Sequence, residues 1–153
     1  MALLADEDAK YLREQFAALT TDVTLTIVAR EKSSLVLPGA TKEPEDASAE
    51  VKQIVNELAA TSPRIKVVEV DARAEADRAR ELAGELVPAI VFSGGLARGK
   101  LRYFGLPAGY EMSTLVATLM DIGSNEEMVP PEVMTELGKL EAETHIKVFV
   151  TPG

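Results

Sequence analysis

Ala9, Leu12, Phe16 and Leu19 recur every three to four positions, which predicts a helix over residues 6–19 with Asp6 placed to cap it. The period then drops to two. Val23, Leu25, Ile27 and Ala29 alternate with Thr24, Thr26 and Val28, and this β-branched run predicts a strand over Val23–Ala29. Residues 30–46 keep neither period. Pro38-Gly39 and Pro44 punctuate them, and Ser33, Ser34, Thr41, Lys42 and Glu43 are polar. They read as a long connecting loop rather than as a partner-binding insertion.

Helical spacing returns over residues 47–60, with Val51, Ile54, Val55 and Leu58 on one face and Pro63 closing the segment. Residues 65–70 form the next strand. Val67 and Val68 make it apolar on both faces, the signature expected of an interior strand. An Ala-, Glu- and Arg-rich helix follows over residues 72–85, with Ala76, Ala79, Leu82 and Ala83 inward. Pro88 opens a third strand, residues 89–92, and Gly94-Gly95 turns the chain into a fourth, Leu101–Phe104, antiparallel to it. After a loop over residues 105–109, Leu115, Val116, Leu119 and Met120 mark the inner face of a helix over residues 111–122.

The order strand, helix, strand, helix, strand, strand, helix predicts an α/β fold: a mixed four-stranded sheet flanked by helices. After Gly123 the pattern restarts. Ser124-Asn125 is a candidate cap, Val133, Met134, Leu137 and Leu140 give a helix over residues 131–142, and residues 146–150 read as a strand. The expected division is a unit over residues 1–123 and a helix-strand over residues 124–153 that begins a second unit of the same kind.

Composition narrows the chemistry. Against 16 Lys and Arg stand 25 Asp and Glu, a net charge of -9, which argues against nucleic acid or an anionic membrane surface as partner. With 5% aromatics and no Trp there is little on which bases could stack. Cysteine is absent, which removes disulfides, thiolate metal sites and cysteine nucleophiles. No run approaches the roughly 18 apolar residues of a membrane span. The acidic start, Asp6-Glu7-Asp8, is unlike a secretory leader, so the expectation is a cytoplasmic protein.

No metal or cofactor site is expected. His145, the single histidine, reads as a surface residue before a strand, with no Cys or Asp beside it. Gly94, Gly95 and Gly99 lie between two strands, so they read as a hairpin turn rather than a phosphate cradle. Pro107 interrupts the row of amides that Gly105 and Gly109 would offer an anion. Glu69 and Asp71, two apart on a strand, share a face, and Asp71 is placed to cap the following helix. Met112, Met120, Met128 and Met134 read as core filling.

The element order resembles the thioredoxin fold, in which a cis-proline opens the third strand. Val87-Pro88 stands at that place. The run Leu101-Arg102-Tyr103-Phe104-Gly105-Leu106-Pro107-Ala108-Gly109-Tyr110-Glu111 is similar to one shared by two groups of tandem thioredoxin-fold proteins. One group is the glutaredoxin-like protein disulfide oxidoreductases of thermophilic archaea and bacteria. The other is the N-terminal domain of the flavoprotein subunit of alkyl hydroperoxide reductase. The resemblance runs from about Leu3 to Gly153, and residues 146–152 are similar to the first strand of the second unit, which in these groups leads into Cys-x-x-Cys.

In the oxidoreductases the first unit also tends to carry Cys-x-x-Cys, at a position that falls here on Ser33, Ser34, Leu35 and Val36. Disulfide exchange needs a thiolate, and a serine hydroxyl cannot replace it. In thioredoxin-like folds an acid near Glu69 can assist thiol deprotonation, a role without an object here. The resemblance therefore implies a redox-inactive N-terminal unit of a protein for thiol-disulfide exchange and redox homeostasis. Val87, Pro88 and the degenerate motif would border a groove for a polypeptide partner. The expected partners are a protein or peptide, a second thioredoxin-like unit, or a second copy in a homodimer. The alternative is a stand-alone, cysteine-free peptide-binding or adaptor module.

Overall fold

The computed structural model describes residues 2–31, 47–124 and 129–149. Helix α1 spans Asp6–Phe16, and it is followed by β1, Val23–Ala29, and α2, Ser48–Ala59. Next come β2, Ile65–Asp71, α3, Ala76–Ala83, β3, Ala89–Gly94, β4, Leu101–Phe104, and α4, Tyr110–Gly123. The last element is α5, Pro131–Leu137. The four strands form one mixed sheet in the order β2-β1-β3-β4, with β1 parallel to β2 and antiparallel to β3, and β4 antiparallel to β3.

The alternation along β1 sorts the core into two layers. Val23, Leu25, Ile27 and Ala29 point to the face covered by α1, α2 and α4, where Leu12, Phe16, Val51, Leu58, Leu115 and Leu119 meet them. Val28, with Val70 and Ala89 beside it in register, points to the other face and packs on Ala79 and Ala83 of α3. Alanines suit this contact because they let a short helix approach the sheet closely.

Several expectations change. The strand after Pro63 is an edge strand, not an interior one, and Val68 is exposed. It is apolar on both sides because Val67 meets the α2 layer while Val70 meets α3. The first helix ends at Phe16 and its N-cap is Ala5, so Asp6 lies inside the first turn rather than capping it. The third helix starts at Ala76 rather than Ala72. Asp71 instead accepts the Arg73 N–H at 2.9 Å and organises the turn ahead of it. Val116 and Met120 are partly rather than fully buried, as is Met112, and Met134 is exposed.

The restart after Gly123 differs most. Helix α5 stops at Leu137, has Pro130 as its N-cap and buries none of its residues. Residues 146–149 are not a strand, and Ile146, Val148 and Phe149 are exposed. Periodicity marked these residues as apolar, but a strand forms only where a sheet edge completes its hydrogen bonds. Asn125, Met128 and Val150 lie outside the described residues.

Candidate functional site

The C-terminal end of β1, the turn after β2 and the loop before β3 converge at one end of the sheet. Ala29 closes β1, and the Arg30 N–H donates to the hydroxyl of Ser48 at 3.1 Å. That bond ties the strand end to the start of α2, and Ser48 is buried. Across the sheet, α3 ends at Ala83 and is followed by Gly84, whose φ of +72° suits a residue without Cβ. The chain then runs through exposed Glu85 and Leu86 to half-buried Val87 and buried Pro88. The Val87–Pro88 peptide bond is cis.

Two groups hold this loop. The Gly105 N–H donates to the Pro88 carbonyl at 2.9 Å, with Gly105 at φ +90°. The Arg102 guanidinium reaches from β4 beneath α3. Its Nε donates to the Leu82 carbonyl and its Nη2 to that of Glu81 at 3.2 Å. A cation thus satisfies carbonyls at the negative end of the helix that leads into the loop. The register explains the reach. Arg102 stands opposite Val91, and Val91 faces α3.

Tyr103, one residue on, points to the other face. Its hydroxyl donates to the Glu111 carboxylate at the start of α4. Burial first, and then the bond to Glu111 and its charge, push the phenol well above its usual range, so it stays a donor. The segment from Arg102 to Glu111 is therefore a brace joining β4, α3, the Pro88 loop and α4. Sequence reasoning picked out this run by resemblance but assigned no role to Arg102, Gly105 or Ser48. For Arg102 the sequence carried only a cation within a strand; the β3–β4 pairing is what turns it towards α3.

Beside the loop lies a shallow, open cleft of about 140 Å³, bordered by Arg30, Ala72, Ala76, Arg80, Gly84 and Val87. The Arg80 Nε–H donates to Glu85, which also lines the cleft, at 3.0 Å. The cleft is smaller than the roughly 300 Å³ at which small-molecule pockets begin. Of the residues expected at the site, Val87 and Pro88 border this cleft or lie next to it. Ser33, Ser34, Leu35 and Val36 lie outside the described residues.

A charged cluster lies at the same end of the sheet, over the β2 edge. Lys52 of α2 reaches Glu69 at 3.2 Å and Glu31 at 3.4 Å, and Asn56 donates to Glu69 at 3.2 Å. Burial works against the Lys52 ammonium, but the bonds and charges of Glu69 and then Glu31 outweigh it and raise its pKa. The Asn56 bond is the largest cause that lowers the Glu69 carboxyl, ahead of Lys52, with burial opposing both. The Arg73 N–H does the same for Asp71, also against burial.

These directions set a pH dependence. A carboxyl with a depressed folded-state pKa contributes stability that is present above its unfolded value, about 4. That contribution is lost as pH falls through the folded value. Lys52 behaves oppositely, and its contribution is lost only as pH rises past about 10. Urea midpoints are therefore expected to hold steady near neutrality and to fall below about pH 5, with a shallower fall in Glu69→Gln. An unchanged slope in that variant would clear the cluster of the effect.

His145 pairs with Glu143 at 3.3 Å and both are exposed. Among the described residues no three His, Asp or Glu side chains are grouped to hold a metal ion, and no helix is long and apolar enough to cross a membrane.

No protein-family model matches the chain, and no curated protein matches it either. Solved structures do. The alkylhydroperoxide reductase protein AhpF of Enterococcus faecalis matches with a TM-score of 0.69 at 21% identity, over 90% of this chain and 61% of that one. The NTD_N/C domain of the same AhpF matches with 0.68 at 19% identity, over 88% and 59%. A protein disulfide oxidoreductase from Aeropyrum pernix matches with 0.71 at 20% identity, over 92% and 56%. The chain thus spans less than two thirds of each of these matched chains. The likeness establishes the fold: a thioredoxin-like α/β fold with a mixed four-stranded sheet.

Proposed function

We propose that the chain is a thioredoxin-like unit without a redox centre of its own, serving a disulfide-oxidoreductase-like protein by offering the Pro88 loop and its cleft to a polypeptide. The observation that carries this reading is the bracing of the loop. Arg102 of β4 and Gly105 just after it hold the carbonyls of Glu81, Leu82 and Pro88, while Leu86 stays 62% exposed beside an open cleft. Exposed apolar side chains on a rigid support are what extended-peptide recognition uses. The chemistry of exchange is missing from the sequence, which has no cysteine. A reducing, cytoplasmic setting accords with that composition.

Residues 124–153 belong outside this unit in the proposal. The support is that α5 buries nothing against the sheet or its helices. The structural likenesses, each covering a little over half of a longer chain, accord with a unit that works beside others.

Insulin reduction with dithiothreitol tests the reading. The protein is expected to leave the precipitation rate at that of reductant alone, whereas clear acceleration would overturn the redox-inactive assignment. For the binding half, an extended unfolded polypeptide such as reduced insulin B chain is expected to shift amide signals of residues 84–88. Leu86→Glu is expected to abolish that shift. Shifts elsewhere, or none, would refute the groove.

A further inference from the structure

Residues 129–149 present a run of apolar side chains to solvent. Ile146, Val148 and Phe149 are 83, 78 and 90% exposed, and Val133 and Leu137 of α5 are exposed as well. The composition of residues 146–149 suits a strand, yet the lone chain leaves them without one. In the lone chain the segment pairs with none of the four strands.

The sheet has two free edges, and they differ. β2 carries Lys66, Glu69 and Asp71, charges of the kind that guard an edge. β4 carries Leu101 and Phe104, both exposed, and exposed Tyr110 follows it at the start of α4. Arg98 and Lys100 precede β4, whereas Glu141 and Glu143 precede the apolar segment. With the two runs aligned in parallel, Ile146 falls beside Leu101 and Phe149 beside Phe104. Glu143 then falls at the level of Arg98. Lys147 falls beside Arg102, whose guanidinium is turned away under α3.

We infer that residues 146–149 of one copy add to β4 of a second copy, and the reverse, so that two chains exchange strands about a two-fold axis. Each copy has one donor segment and one acceptor edge, and reciprocal exchange about a two-fold axis covers both and closes at a dimer. The inference is independent of what the Pro88 loop binds.

Light scattering on the full chain after size exclusion tests it. The expected mass is twice 16.4 kDa at high protein concentration. Phe149→Asp, at a position that packs on nothing in the lone chain, is expected to halve that mass with the circular dichroism unchanged. Phe104→Asp, on the acceptor edge, is expected to do the same. Hydrogen exchange is expected to show residues 101–104 and 146–149 protected in the wild type and unprotected in Phe149→Asp. Two results would overturn the inference: a dimer that persists in Phe149→Asp, or a monomer at every concentration, in which protection of residues 146–149 would place the segment on its own sheet.

Discussion

Gly95→Ala is expected to cost this protein about 3–5 kcal/mol, combining left-handed strain of about 1–3 kcal/mol with an overpacking cost of similar size. Gly95 sits just past β3 at φ +52°. A Cβ there would fall on the carbonyl oxygen of Ile122, and it would lie 2.9 Å from the Thr21 hydroxyl. That carbonyl cannot retreat freely, because it already accepts the Leu96 N–H at 2.8 Å. Beside it, the Gly123 carbonyl takes the amides of Thr20 and Thr21 at 2.9 and 3.0 Å. The end of α4, the start of β1 and the β3–β4 turn are thus stitched together through backbone atoms. Gly99→Ala provides the contrast. It also has positive φ, +76°, but nothing within 4 Å of the added carbon. It is expected to cost only about 1 kcal/mol. Urea unfolding of the two variants checks the difference, and equal midpoints would show that packing at Gly95 is not what sets its cost.

Phe16→Ala is expected to destabilise by about 3–5 kcal/mol, the range for emptying a buried aromatic site. Phe16 is 2% exposed at the last turn of α1 and lies in the cluster that joins α1 to β1, α2 and α4. Its loss removes apolar contact area and leaves a cavity that surrounding helices can only partly fill. Tyr11, on the same helix, is 58% exposed, and Tyr11→Ala is expected to stay within about 0.5 kcal/mol of wild type. Thermal or urea melts decide this, and a Phe16→Ala loss below about 1 kcal/mol would mean that α1 is not part of the cooperative core.

The candidate site was legible only in part. Val87-Pro88 stood out because proline constrains the chain wherever it falls, and the lack of cysteine is a fact of composition that no fold can alter. The brace was not legible. The Arg102 partners, the carbonyls of Leu82 and Glu81, lie about twenty residues away in the chain, and they become neighbours only once β4 pairs with β3 and α3 crosses that face. The Lys52–Glu69 pair likewise needs α2 to lie over β2.

By itself the sequence determined the local elements of residues 6–123, because periodicity in apolar positions is a property of neighbours in the chain. Leu12 and Phe16 fall one turn apart whatever surrounds them, and Val23, Leu25 and Ile27 alternate before any sheet exists. The tertiary structure decided which of those elements found partners. Val67 and Val68 read as an interior strand, yet β2 lies at an edge, since two-sided apolarity reports only that each face touches something apolar and not that both edges are paired. Residues 146–149 have the pattern of a strand and form none, because a strand is completed by hydrogen bonds to another segment and they pair with none of the four strands. Gly95 read as one half of a turn, and only the approach of α4 makes it a position where no side chain fits.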